Sequence, residues 1–531
     1  MRYAAGAALL TLSLLLTGAP IASLAAVVLE GEPATVFTAL ARANLVGLAW
    51  SVLTLGVGAT LWALAAAVPL AWLVARTDLP FRLLIRQLAP LPLAIPPYVA
   101  ALAYAMLLGP AGSAHHSLAQ LRGVPASDIA WPSLVYGAGG AAFVLGLFTA
   151  PSVFLIVHSA LLRADPSLEE ASRGLGRGPW QTVPRVTLPL VRPAVVAGAL
   201  LVFVYACIDF GVVSLLRART ATTTLYTYLL SGYSRPASAA IALGLVGAVW
   251  LCLALQSVAL RGAGGVGRTH PLSRGAPVRL GIWRAPALVY ALLVLVPALV
   301  VPVAVLGAQA ARLGAAPLTA FISTLGAPLL RTLSVAGLGA SFAMLLGACL
   351  AVAWGRLPAA RPAAQLLQLG YAVPGTVLGL ALVGLLLRAF PHLYGTPGAL
   401  VLAYVILFGA PAFQAARTAI AQVTPSLEAA ARGLGSPPLV VAGRIVLPLT
   451  APGLVGGWAL CFALAFRELA ATIVIRPPGY DTLAVRIWVH TMDVGPDPRA
   501  AAVALLMLAV ASLVWFGAQS LVTRTGGALD A

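Results

Sequence analysis

Long apolar runs, broken by short arginine-bearing segments, set the rhythm of this chain. A helix needs about 20 mostly apolar residues to cross a bilayer. Runs of that kind lie near 4–29, 47–75, 88–109, 132–162, 194–216 and 237–260. A Gly- and Arg-rich stretch, 261–284, follows, carrying Arg268, Arg274 and Arg279. Six more runs lie near 285–308, 330–354, 363–388, 397–421, 453–475 and 499–523. The pattern predicts an all-α integral membrane protein of about twelve transmembrane helices, since no ten-residue alternation of a membrane barrel occurs. Prolines inside runs, such as Pro69, Pro92 and Pro96–Pro97, predict kinks. The first run exceeds the roughly 7–15 apolar residues of a signal-peptide core and has no clear cleavage site after it, so it reads as a retained span.

Within this pattern one segment occurs twice. Residues 166–193 read PSLEEASRGLGRGPWQTVPRVTLPLVRP and residues 425–452 read PSLEAAARGLGSPPLVVAGRIVLPLTAP. A constant offset of 259 aligns them without a gap, with 15 of 28 positions identical. Shared lipid solvent does not produce such identity between loops; duplication does. Residues 1–260 and 285–531 then form two six-span units joined by the 261–284 linker. An even number of spans keeps both copies in one orientation, so the repeats are parallel, about an axis along the membrane normal.

Each copy of the segment predicts a short helix-turn-helix. Asp165 and Thr424 suit the N-cap, each followed by proline at the first helical position. Glu169, Glu170 and Glu428 lie near the helix start, where the backbone dipole favours negative charge. Gly176 and Gly435 stop the helix, and Pro179 and Pro438 open a second one that runs to Leu188–Pro189 and Leu447–Pro448. Small residues, Ala171, Gly174, Ala430 and Gly433, would let a partner surface approach closely.

Composition and charge sharpen the picture. Hydrophobic residues make up 61% of the 531 and charged residues only 9%, against about a quarter charged in soluble proteins. The net charge is +18, and every one of the 32 basic residues is arginine. The arginines sit in short loops between apolar runs, which fits membrane topology and not nucleic-acid binding. Arg76, Arg82 and Arg86 follow span two, and Arg163, Arg173, Arg177, Arg185 and Arg192 follow span four. With the linker after span six and Arg356 and Arg361 after span eight, the even exits are the arginine-rich ones. That places them and both termini in the cytoplasm; Arg217, Arg219 and Arg235 after span five weaken the contrast. Cys207, Cys252, Cys349 and Cys461 lie inside apolar runs and read as small buried hydrophobes.

Chemistry is sparse. Asp209 and Glu468 are the acidic residues inside predicted spans, and they too are separated by 259. An ionisable residue within a span is costly and marks a functional site by default. Both could line a pathway near a pseudo-twofold axis, with Arg467 neutralising Glu468, or they could fix helix packing. No metal-ligand cluster or catalytic constellation stands out, and no GxxxxGK[ST] phosphate loop occurs. ATP hydrolysis is therefore expected in a separate subunit, and no cofactor on this chain.

The two loops resemble the EAA motif of bacterial ABC importer permeases: EAA, three residues, Gly, nine residues, Ile-x-Leu-Pro. The first copy fits as Glu170-Ala171-Ser172, Gly176, Val186 and Leu188-Pro189; the second as Ala429-Ala430-Ala431, Gly435, Ile445 and Leu447-Pro448. Ser172, Val186 and Ala429 depart from the motif, and Glu428 stands one place before the expected glutamate. The resemblance implies a type I importer fold, with transmembrane cores over about 47–260 and 328–523. It implies that both loops are coupling helices for two copies of an ATPase subunit that binds the ATP. A periplasmic or lipid-anchored binding protein would deliver cargo, and the chain would be a multi-pass protein of a bacterial inner membrane working by alternating access. The segments 209–229 and 466–488 are similar to fused permeases of ferric-iron importers, with thiamine, phosphonate and polyamine branches related. An ion-coupled secondary transporter is the rival from another class, because Asp209 and Glu468 could couple ions; a duplicated cytoplasmic loop argues against it.

Overall fold

A computed structural model describes residues 2–110, 112–132, 135–230, 234–261, 277–354 and 357–527. Arg268 and Arg274 of the linker and Arg356 lie outside them. Among the described residues, nine helices are long and apolar enough to cross a membrane. Two further spans are bent pairs, and Pro498–Val514 adds a shorter apolar segment at the last predicted span. Among the described residues this gives nine spans, or eleven with the bent pairs, against the twelve expected, and spans three and nine are not single rods.

Span three consists of Arg82–Leu88, a 3-10 turn and Pro97–Leu108, bent by 93°. Span nine consists of Ala360–Tyr371 and Gly375–Ala389, bent by 110°. Both breaks fall at a proline in extended conformation, Pro96 (φ −58°, ψ 132°) and Pro374 (φ −55°, ψ 138°). A proline pushes its predecessor out of the helical region, and consecutive prolines at 96–97 remove two donors as well. The expected kink becomes a break. Pro69, in contrast, is tolerated inside the helix Leu45–Arg76.

Spans two (Leu45–Arg76) and four (Ala138–Arg163) form the tightest pair of the first unit, spans eight (Gly326–Ala353) and ten (Pro397–Ile420) that of the second. Close approach needs glycine. A Cβ on Gly146 would stand 2.6 Å from the Ala59 carbonyl oxygen, and one on Gly347 2.6 Å from the Phe413 nitrogen. Without a hydrophobic drive between helices in lipid, such small-residue contacts supply the packing. The outward faces carry Leu61, Trp62, Leu293, Leu330 and Leu345, all exposed and all apolar, as a lipid-facing surface requires.

The sequence boundary near 260 is not a boundary in space, because each unit's first span leans on the other unit. Span one (Arg2–Glu30) packs against both pieces of span nine, and Ser23 Oγ donates to the Ala381 carbonyl at 2.8 Å. Span seven runs from Arg284 to Ala311 and packs against the first unit's Pro97–Leu108, where Tyr104 Oη donates to the Pro297 carbonyl at 2.9 Å. The end of the linker is fastened too. Val278 exchanges backbone hydrogen bonds with Arg76 and Asp78, and Asp78 pairs with Arg284. Of the cysteines, Cys207 and Cys461 are buried, but Cys349 is exposed on the apolar outer surface and Cys252 is half-buried, contrary to the uniform burial expected.

Candidate functional site

The first repeated loop begins where Asp165 Oδ1 accepts from the Ser167 N–H at 2.9 Å, capping the helix Ser167–Gly174. It ends in a Schellman motif: Gly176 has φ +80°, its N–H donates to the Arg173 carbonyl, and the Arg177 N–H donates to Ser172. The second helix, Pro425–Gly433, ends in the same way, with Gly435 at φ +82° and the Ser436 N–H donating to Ala431. Glu170, Ala171, Gly174, Gly176, Ala429, Ala430, Gly433 and Gly435 are all exposed. A Cβ on any of the four glycines would meet nothing within 4 Å, so this face is open.

Two residues of the set go elsewhere. Glu169 is only 4% exposed. Its Oε2 lies 3.4 Å from Arg76 Nε at the end of span two, and its Oε1 accepts from Thr187 Oγ1 at 2.9 Å. Arg76 Nη2 in turn donates to the Ala164 carbonyl at 3.1 Å. Adjacent positions on a helix point about 100° apart, so Glu170 faces out while Glu169 ties the loop inward. Glu428 is the register partner of Glu169 (428 − 259 = 169), so Ala429 stands where Glu170 does and the second loop exposes no carboxylate at that place.

Ser172, a departure from the motif, has a structural reason. Its hydroxyl meets Thr182 Oγ1 at 3.2 Å across the turn. The register partners, Ala431 and Val441, are both apolar and both buried. A polar pair in one copy is matched by an apolar pair in the other.

The second helix of each loop does not end at Leu188–Pro189 or Leu447–Pro448 as expected. It continues through a π-helical turn, Val183–Thr187 or Ala442–Val446, directly into Leu188–Ile208 or Leu447–Phe466. The two prolines explain the turn, because a proline ring clashes with the carbonyl four residues earlier and a widened turn relieves it. Leu175 and Leu434, another register pair, were overlooked in the sequence. They are 78% and 87% exposed on the loop tips. Their signal was present, as both are among the identities of the repeat.

Asp209 and Glu468 lie not inside a span but at the break where one ends. Asp209 Oδ1 accepts from the Val212 and Val213 N–H groups at 2.8 and 3.3 Å, capping the short helix Gly211–Leu215. Glu468 Oε1 accepts from the Ala471 N–H at 2.9 Å, capping Ala470–Ile475. A threonine holds each backbone: Thr222 Oγ1 donates to the Asp209 carbonyl and Thr472 Oγ1 to that of Glu468. Both acids are half-buried. The breaks of spans three and nine abut these caps, since a Cβ on Gly211 would stand 2.9 Å from Tyr98 Cβ and one on Gly375 2.9 Å from Glu468 Oε1.

Arg467 is not ion-paired with Glu468, its expected partner. Its Nη1 donates to the Leu93 carbonyl at 2.9 Å, in the other unit. That carbonyl would ordinarily accept from residue 97, which is proline and has no N–H. The arginine supplies the missing donor.

Comparison with known proteins agrees with this architecture. Residues 67–261 match the family described as binding-protein-dependent transport system inner membrane component. The Fe(3+)-transport system permease protein FbpB 2 of Haemophilus influenzae is 26% identical over 394 residues, covering 69% of this chain and 74% of the relative. The putative 2-aminoethylphosphonate transport system permease protein PhnV of Salmonella typhi is 28% identical, covering 37% of this chain and 76% of the relative. The putrescine transport system permease protein PotI of Escherichia coli is 29% identical, covering 36% and 71%. With this match, the apolar helices and the repeated loops, residues 67–261 carry the domain of binding-protein-dependent transport system inner membrane components, and the chain is similar to permease subunits of such transport systems.

Proposed function

We propose that the chain is a fused permease that imports ferric iron, with both halves in one polypeptide. Each repeated loop docks one copy of an ATPase subunit, so two copies bind and hydrolyse the ATP and none is bound here. A substrate-binding protein delivers cargo to the opposite face, and both termini lie in the cytoplasm. The loop face carries Glu170 or Ala429 and Leu175 or Leu434 outward, with Gly174, Gly176, Gly433 and Gly435 leaving room for the partner groove. Asp209 and Glu468 border the translocation pathway where four broken helices meet, and Arg467 latches the two units across it.

The observation that carries the ferric reading is the similarity to FbpB 2 over 69% of this chain and 74% of that relative, more than either half of the chain alone would supply. The test is uptake of radioactive iron by cells that carry or lack the gene, challenged with excess unlabelled ferric iron, 2-aminoethylphosphonate or putrescine. Iron uptake that needs the chain and is displaced by iron alone supports the reading. Uptake of an organic substrate instead moves the chain to another branch, and uptake that persists without an ATPase subunit removes the proposed mechanism.

A further inference from the structure

Beside the first repeated loop lies a cavity of about 330 Å³. Its walls come from the ends of spans two and four, the loop's second helix and the start of span seven. Three indoles ring it: Trp72 and Trp180 have centroids 6.2 Å apart, Trp180 and Trp283 5.3 Å. Apart from the indoles, the polar groups in the wall already have partners. Thr187 donates to Glu169 and the Tyr290 hydroxyl to the Ala66 carbonyl at 3.0 Å. Beyond the indole N–H groups the wall offers no free polar group, and an ordered water needs two to four polar partners, so the space favours an apolar occupant.

The position of the cavity selects that occupant. Trp283 to Tyr290 is seven residues, so the cavity reaches about 10 Å inward from the start of span seven, through the outer part of the hydrocarbon layer. Trp180 and Trp283 are 57% and 49% exposed at its mouth, as interfacial indoles are. Leu188, Val289 and Leu293, exposed on the same helices, continue its wall into the lipid-facing surface. Exposed arginines stand within two residues of lining positions on two of the walls: Arg163 after Leu161, Arg185 between Val183 and Thr187, and Arg192 after Val191.

We propose that this cavity is a phospholipid site: one acyl chain from the leaflet on the loop side fills it, and Arg163, Arg185 and Arg192 hold an anionic headgroup. The proposed orientation enters only in calling that leaflet cytoplasmic. Because Trp180 and Leu188 flank the loop's outlet into span five, the lipid wedges that outlet against span seven.

The test is native mass spectrometry of the chain released from membranes of mixed phosphatidylglycerol and phosphatidylethanolamine. One phospholipid per chain is expected to survive detergent exchange, enriched in phosphatidylglycerol by about fivefold per arginine engaged. Ala287→Phe fills the cavity from span seven and should eject the lipid. Val183→Phe, from the facing wall, is the second variant should the first not fold, and thermal midpoints report folding of both. Arg185→Ala with Arg192→Ala should retain the lipid but abolish the headgroup preference. No retained lipid in the wild type, or equal retention in a folded filled variant, overturns the site; an unchanged preference in the arginine variant overturns the headgroup assignment. ATPase association, read separately by co-purification, is not needed for either result.

Discussion

Removing the Glu169 carboxylate tests how the first loop is held to the membrane domain. Arg76 and Glu169 have side chains 9% and 5% exposed, so neither charge is solvated by bulk water. Breaking one partner of a buried pair costs about 3–5 kcal/mol. Arg76 keeps its bond to the Ala164 carbonyl, so Glu169→Ala falls at the lower end, about 3 kcal/mol. Glu169→Gln retains an acceptor for Thr187 and loses the charge, about 1–2 kcal/mol. Thr187→Val removes a single donor, about 1 kcal/mol. Arg76→Met with Glu169→Met removes both charges at once, and the double variant should be more stable than Glu169→Ala. Thermal unfolding of the purified chain reads stability, and co-purified ATPase activity reads the loop. In a double-mutant cycle of Arg76→Ala and Glu169→Ala, a coupling of about 1–3 kcal/mol is expected. Full stability in Glu169→Ala, or single effects that add within about 0.5 kcal/mol, would refute the tether.

Other expectations concern separate features. Gly176→Val and Gly435→Val should each cost about 1–2 kcal/mol from the left-handed backbone alone, since the space around both is open; Gly176→Asn should cost less, and equal loss for Asn and Val would show that bulk decides. Asp209→Ala should cost about 1 kcal/mol as a lost cap, whereas Asp209→Asn keeps an acceptor oxygen; if Asp209→Asn and Glu468→Gln remain folded and transport fully, the pathway role of these charges fails. The Arg284 guanidinium, with help from the Leu280 N–H, holds Asp78 below the usual carboxylate range. Its folded pKa is therefore below its unfolded one, so the linker contact is complete above the ordinary carboxylate range and lost as pH falls through the lowered value; spin labels at Leu83 and Ile282 should separate at low pH in the wild type and at every pH in Asp78→Asn.

The all-helical membrane architecture and the repeated loop were legible in the sequence because both rest on patterns longer than twenty residues. The breaks were not. Hydropathy runs straight across Asp209 because Gly211–Leu215 is as apolar as the span before it, and across Pro374 for the same reason on both sides. The repeated loops were legible as elements, since Asp165, Gly176 and Gly435 are local signals. What Glu169 does was not, because its partner Arg76 lies at the end of a different span and the dipole argument treats Glu169 and Glu170 alike. The helices Pro33–Ala43 and Ala315–Ser323 escaped notice because they are too short to register as spans. The packing of each first span against the other unit has no local signature at all.

The uninterrupted helix from Pro179 to Ile208 has a mechanical consequence. Thirty residues at 1.5 Å each make a rod about 45 Å long, with the loop's exposed tip at one end and the Asp209 carboxylate at the other. A push on the tip needs no relay of side chains to reach Asp209, since the rod carries it there in a single displacement. Its one compliant point is the π-helical turn at Val183–Thr187, immediately beyond the tip. Stiffening or loosening that turn would set how much of each stroke arrives, much as the slack in a pushrod sets the travel of a valve.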